Sequence, residues 1–196
     1  MRITDLLDKK SIYLGAEVNS KEETLDRAVA LMAESGKIAD VETYKKGVYA
    51  REEEGTTGIG EGIAIPHCKS AAVKQAGLAA MVIPDGVDFN SLDGEPVYLL
   101  FLIAAPDTAD NVHLDVLSKL SVLLMDENFT NALKSAKTVD EFLSIIDKAE
   151  NGDAKQEEEI PTITEVKKKI LAVTGCPTGI AHTYMAAEAL EKKAKK

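Results

Sequence analysis

The sequence predicts an α/β (α+β) protein in which a mixed β-sheet is flanked by helices on both faces. Two long apolar runs, Gly77 to Ile83 and Val97 to Ala104, show little polar alternation, as strands covered on both sides do. Amphipathic stretches of helical period open on capping signals, Ser20-Lys-Glu-Glu23 and Thr138-Val-Asp-Glu141. These helices and strands mix without strict βα alternation, which argues for a mixed rather than an all-parallel sheet.

The elements follow in order. A short helical turn precedes a strand near Ser11 to Leu14. The first full helix starts at the Ser20 box, places Leu25, Val29, Leu31 and Met32 at helical spacing, and can close at Gly36. Asp40 caps a second helix through Val41, Tyr44, Val48 and Tyr49, which runs out in Arg51-Glu-Glu-Glu54. Ile63-Ala64-Ile65 reads as a short buried strand ended by Pro66, which has no N–H for a ladder. The strand from Gly77 is expected to stop at the turn signature Pro84-Asp-Gly86. After the Val97 strand, Asp107 to Met125 forms an amphipathic helix with His113 in its first turn. A short helix over Asn128 to Leu133 and a last one carrying Phe142, Leu143, Ile145 and Ile146 complete this part.

Composition sets the outer bounds. The 196 residues, 45% hydrophobic and 29% charged, fit one domain of ordinary size plus a short remainder. A net charge of -10, from 23 Lys+Arg against 33 Asp+Glu, argues against nucleic acid or an anionic membrane as a general partner. The first ten residues lack the apolar core of a signal peptide, and the apolar run Val97 to Ala105 falls far short of the ~20 residues that span a bilayer. A cytoplasmic chain without a membrane segment is expected, one in which Cys68 and Cys176 have little reason to pair. Glu150 to Glu159 is too acidic to bury anything and reads, with Pro161, as a solvated linker.

Two stretches carry chemistry. Thr57 to Ser70 places Gly58, Gly60 and Gly62 at alternate positions ahead of His67. Glycines uncover backbone N–H groups that can face an anion, and an imidazole with one free nitrogen is a nucleophile near neutral pH. Spacing alone is equally consistent with an ordinary half-buried histidine at a turn, and it favours Arg51 as a solvated cation that complements a helix C-terminus. In the second stretch, Lys169 to Thr174 reads as a strand, followed by Gly175-Cys-Pro-Thr-Gly-Ile-Ala-His-Thr183 and a helix. A cysteine where a strand turns into a helix N-terminus sits where amides and the helix dipole favour a thiolate and bind phosphate.

The run Gly58-Ile-Gly-Glu-Gly-Ile-Ala-Ile-Pro-His67 closely resembles the active segment of the fructose/mannitol class of enzyme IIA domains, phosphocarriers of the bacterial phosphoenolpyruvate-dependent sugar phosphotransferase system (PTS). Cys-Pro-Thr-Gly-Ile-Ala-His-Thr, beginning at Cys176, resembles the active loop of the fructose-class, Rossmann-like enzyme IIB domain. The resemblance implies a IIA domain over residues 1–148, an acidic linker over 149–165 and the N-terminal part of a IIB domain over 166–196. It implies that His67 takes a phosphoryl group from the phosphorylated histidine-containing phosphocarrier protein, on Nε2, and passes it to the IIB cysteine. His113 and Arg51 would stabilise phosphoryl charge, and Cys176 would be the phosphocysteine of a complete IIB domain. A membrane IIC domain would complete the transporter and bring the chain to the membrane. No cofactor and no metal is implied.

The strand and helix from Val166 are too short to bury a core of their own, so Cys176 is expected not to act as an acceptor in this chain. Two other functions fit parts of the sequence. A nitrogen-type regulatory IIA module would signal through its phosphorylation state, although the linker and the Cys176 loop count against it. A metal site from His67, Cys68 and His113 lacks an evident fourth ligand, and neighbouring residues on a strand point apart. Fructose is the expected sugar, with mannitol and mannosylglycerate as relatives; Glu61 and Cys68 are given no role.

Overall fold

A computed structural model describes residues 2–108 and 112–156, without the side chains of residues 112–114 and 152–156. The elements are α1 (Ile3–Leu6), β1 (Leu7–Leu14), α2 (Lys21–Glu34), α3 (Val41–Glu53), β2 (Gly58–Gly60), β3 (Ile63–Ala64), β4 (His67–Ser70), β5 (Gly77–Val87), β6 (Val97–Pro106), α4 (Val112–Leu124), α5 (Glu127–Ser135) and α6 (Val139–Gln156). The strands form one mixed sheet in the order β1-β5-β6-β3-β2, with β4 pairing β6 beyond β3. β5 and β6 are antiparallel at its centre, β1 runs parallel to β5, β3 and β4 run parallel to β6, and β2 is antiparallel to β3.

The central strands show why no polar alternation was visible. Leu78, Ala80 and Val82 of β5, with Leu99, Phe101 and Ile103 of β6, face one apolar cluster, which Leu117 and Leu120 of α4, Leu133 of α5 and Phe142 and Ile146 of α6 complete. Their alternates Ala79, Met81, Ile83, Leu100, Leu102 and Ala104 face a second cluster with Leu25, Val29 and Met32 of α2 and Tyr44 and Val48 of α3. Both faces are buried over Leu78 to Ile83 and Leu99 to Ala105, so every position there is apolar.

The N-caps read from sequence form, but the return bond of each capping box is shifted by one residue, Glu23 Oε2 accepting the Asn19 N–H at 2.8 Å and Glu141 Oε2 that of Lys137 at 2.8 Å. Ser20 Oγ accepts the Glu23 N–H at 3.1 Å, Asp40 Oδ1 accepts that of Thr43 at 3.1 Å, and Thr138 Oγ1 accepts that of Glu141 at 3.1 Å.

Several boundaries differ from the sequence reading. Pro66 interrupts its strand rather than ending it: its carbonyl accepts the Ile103 N–H at 2.9 Å, and pairing to β6 resumes at His67. β5 likewise continues through Pro84-Asp85-Gly86, because the register shifts between Val82 and Val87 and a bulge needs no proline N–H. β6 runs on to Pro106, and α4 starts at Val112 rather than at Asp107, which still leaves His113 in the first turn. α6 continues to Gln156, into the stretch read as linker, and the Glu150 carboxylate accepts the Ile3 N–H at 2.7 Å. Cys176, the linker beyond Gln156 and the IIB-like piece lie outside the described residues.

Candidate active site

The site is assembled where α3 ends against β4. Along α3, Tyr44, Val48 and Glu52 recur at helical spacing and are buried. Tyr44 donates its hydroxyl to the Ile103 carbonyl at 3.3 Å, which ties the helix to the strand that pairs with β4. At Gly47 the helix approaches so closely that an added Cβ would lie 2.6 Å from the Cys68 Sγ. One turn later, Arg51 reaches the edge of the sheet.

Register separates His67 from Cys68. His67 pairs with Ile103, which belongs to the cluster on the α4 side, and Cys68 pairs with Ala104, which belongs to the cluster on the α3 side. Adjacent strand residues point to opposite faces, so the cysteine is packed under α3 while the histidine turns toward the α4 side, and the Arg51 side chain reaches its ring from the end of α3. Cys68 therefore has a structural role, and burial pushes its thiol up to about 11. Among the described residues no group of three or more His, Cys, Asp or Glu is placed to hold a metal ion.

The imidazole is oriented through both nitrogens. Nδ1 lies 2.9 Å from the Ile65 carbonyl oxygen, which only accepts, so Nδ1 carries the proton. Nε2 is then the lone-pair nitrogen, and it accepts from Arg51 Nε at 3.1 Å. The guanidinium also donates through Nη1 to the Gly55 carbonyl at 3.1 Å. Together these contacts present a neutral imidazole with Nε2 as its nucleophilic atom beside a fixed cation.

The structure thus brings Arg51 and His67 together. The backbone of His113 lies in the first turn of α4, which packs on the face of the sheet that His67 shares; its side chain is outside the description. The glycines act differently from the sequence reading. Gly60, Glu61 and Gly62 take positive φ of 100°, 56° and 75°, and the turn they form is covered by the loop that follows β5. Asp93 Oδ2 accepts the Glu61 N–H at 2.8 Å, and a Cβ on Gly60 would meet that oxygen at 2.9 Å. Gly62 approaches Tyr98 equally closely. An internal carboxylate occupies this part of the turn, and these glycines are needed for its shape and close packing. Hydrogen bonds from the Glu95 and Glu61 amides hold the Asp93 carboxyl below its ordinary value.

Sequence reasoning missed Glu52 and Thr57. In the acidic run after Arg51, Glu53 and Glu54 are exposed, but Glu52 is 8% exposed and accepts from the Thr57 N–H at 2.8 Å and the Thr57 hydroxyl at 2.5 Å. Lys21 at the start of α2 pairs with the same carboxylate at 2.7 Å. The signal was present in the helical spacing, since Glu52 continues the Tyr44–Val48 stripe.

Residues 5–149 match the family model described as phosphoenolpyruvate-dependent sugar phosphotransferase system, EIIA 2, and residues 171–196 match one described as PTS system, lactose/cellobiose specific IIB subunit. The chain is 47% identical, over its whole length, to the PTS system fructose-specific EIIABC component of Bacillus subtilis, but spans only 31% of that relative. Among solved structures, nitrogen regulatory protein IIA-Ntr from Neisseria meningitidis aligns over 74% of this chain and 98% of its own, with 34% identity and a TM-score of 0.69. The complex of enzyme IIA mannitol with phosphorylated enzyme IIB mannitol from Escherichia coli aligns over 72% of this chain and 99% of that one, with 28% identity and a TM-score of 0.63. With its mixed sheet, its helices on both faces and a family match over most of its length, this chain belongs to the EIIA 2 family of the PTS, and it carries the start of a PTS IIB domain after the IIA domain.

Proposed function

We propose that His67 is the phosphoryl acceptor of a sugar-transport phosphocarrier, and that the observation carrying this reading is the Nδ1–H tautomer that leaves Nε2 facing Arg51. In the first step Nε2 attacks phosphorus on the phosphorylated histidine-containing phosphocarrier protein; the new N–P bond forms as the bond to the donor nitrogen breaks and its electron pair returns to the donor. No proton needs to move, because the Nδ1 proton stays in its bond to the Ile65 carbonyl, which favours the positive charge that phosphorylation places on the ring. The Arg51 Nε–H that now points at the nitrogen lone pair turns to an oxygen of the transferring group. His113, from the first turn of α4, adds a second stabilising donor. In the next step a IIB thiolate attacks the same phosphorus and the Nε2–P pair returns to the ring. Positioning and charge stabilisation suffice for a loose transition state of this kind.

The three-part organisation of residues 1–148, 149–165 and 166–196 belongs to this proposal, with Cys176 as the IIB acceptor and a membrane IIC domain as the last partner. The names of relatives that match the chain throughout support fructose or, at 38% identity, 2-O-α-mannosyl-D-glycerate as the sugar. Likeness to IIA-Ntr favours a second reading, a regulator that signals through its phosphorylation state. The IIB match over residues 171–196 favours transport.

The test is to supply phosphoenolpyruvate, enzyme I and the carrier protein and to map the modified residue. Acid-labile phosphate on His67, passed on to a complete IIB domain, is the expected result. A chain that is labelled but transfers to no IIB domain would favour the regulator.

A further inference from the structure

We propose that Lys21, Glu52 and Thr57 form a buried clamp that positions Arg51 and His67 against each other, an inference that rests on the phosphocarrier reading of that pair. Thr57 is 3% exposed, and the Lys21 and Glu52 side chains are 15% and 5% exposed. Lys21 also lies 4.8 Å from the centre of the Phe89 ring and 3.4 Å from Thr56 Oγ1. A charged pair taken out of water is an expensive way to hold a loop unless the geometry it imposes is used.

Two routes lead from Thr57 to the reacting atoms. On one side, the Glu52 carboxylate grips both the N–H and the hydroxyl of Thr57, while the Glu52 carbonyl accepts the Gly55 N–H at 3.3 Å. That closes the turn after α3 and aims the Gly55 carbonyl at Arg51 Nη1, leaving Nε directed at His67. On the other side, the Thr57 carbonyl accepts the Ile65 N–H at 3.0 Å, and the carbonyl of the same Ile65 holds His67 Nδ1. A single residue thus sets the orienting partner of the cation and that of the nucleophile. The clamp acts on the pair through the Gly55 and Ile65 carbonyls, so its members are positioning residues.

The experiment uses the full chain with Glu52→Gln, Thr57→Val and Thr57→Ser. Thr57→Val keeps the side-chain shape and removes the hydroxyl, whereas Thr57→Ser restores it. Single-turnover phosphoryl transfer and the 15N signals of His67 Nε2 and Arg51 Nε are recorded together with thermal midpoints. Glu52→Gln and Thr57→Val should slow transfer ~10-fold or more, as misplacement of a reacting group does. They should also shift both 15N signals, with carrier-protein KM unchanged, and Thr57→Ser should recover most of the rate. Lowered midpoints with parental rates and parental 15N signals would reduce the clamp to a stability device and overturn the proposal. A parent chain unlabelled at His67 would instead overturn the phosphocarrier reading, and the 15N signals alone would then decide whether the clamp orients the pair.

Discussion

The two edges of the sheet use charge in opposite ways. At the β1 edge, Lys9 pairs with Asp140 and Arg2 with Asp147, with side chains between 46% and 77% exposed. Beside the β4 edge, Lys21 pairs with Glu52 almost out of solvent, and the carboxylate is completed by two hydrogen bonds from Thr57. Exposed pairs contribute ~0–1 kcal/mol and tolerate slack, whereas a buried, fully hydrogen-bonded pair permits essentially one geometry. The difference locates the region where position matters: the α1–α6 packing needs only to hold, and the α3–β4 junction has to aim.

The largest effect is expected at His67. His67→Ala should abolish phosphoryl labelling without unfolding the domain, because the side chain lies at the sheet edge and is outside both apolar clusters. Acid-labile phosphate retained by that variant would move the site elsewhere. Arg51→Ala should slow transfer by ~100-fold or more, the range for a lost charge-stabilising donor, and His113→Ala should do the same. Single-turnover rates within a few-fold of the parent would return either residue to an ordinary surface role.

Stability should separate the two edges next. Glu52→Ala leaves Lys21 without its carboxylate and the Thr57 donors without their acceptor and should cost ~3–5 kcal/mol in denaturant unfolding, whereas Lys9→Ala should cost no more than ~1 kcal/mol. Equal losses at both edges would remove the distinction.

Cys68 supplies a finer test of the α3–β4 packing. With its thiol pushed up to about 11 from 9.0, it should alkylate at pH 8 roughly 100-fold or more slowly than a free thiol in a Cys176→Ser background. Between pH 9.0 and about 11 the unfolded chain loses this proton first, so stability should fall as pH rises through that window. Fast alkylation at pH 8 would show that Cys68 is not held under Gly47.

Most of the fold was legible because both faces of β5 and β6 are apolar and the helices carry side-chain caps. The breaks came where local chemistry met the sheet. Pro66 and Pro84 read as strand ends, yet each sits at a break in regular pairing, which only partner registers reveal. His67 and Arg51 were legible through motif resemblance, and their contact across α3 and β4 needed the fold. Glu52 was lost in a run of three glutamates, although its place on the Tyr44–Val48 stripe marked it as buried. The glycines suggested an anion cradle, whereas Asp93 comes from a loop that nothing in the Gly58–Gly62 stretch foretells.

In the proposed transfer Nε2 of His67, presented by a proton fixed on Nδ1, is the accepting atom. The most direct measurement is 15N and 31P NMR of histidine-labelled chain before and after phosphorylation through the carrier protein. An Nδ1–H imidazole is expected beforehand and a phosphorus–nitrogen coupling to Nε2 afterwards, with the Nδ1 proton retained. A phosphoryl group on Nδ1, or a free imidazole protonated mainly on Nε2, would contradict it.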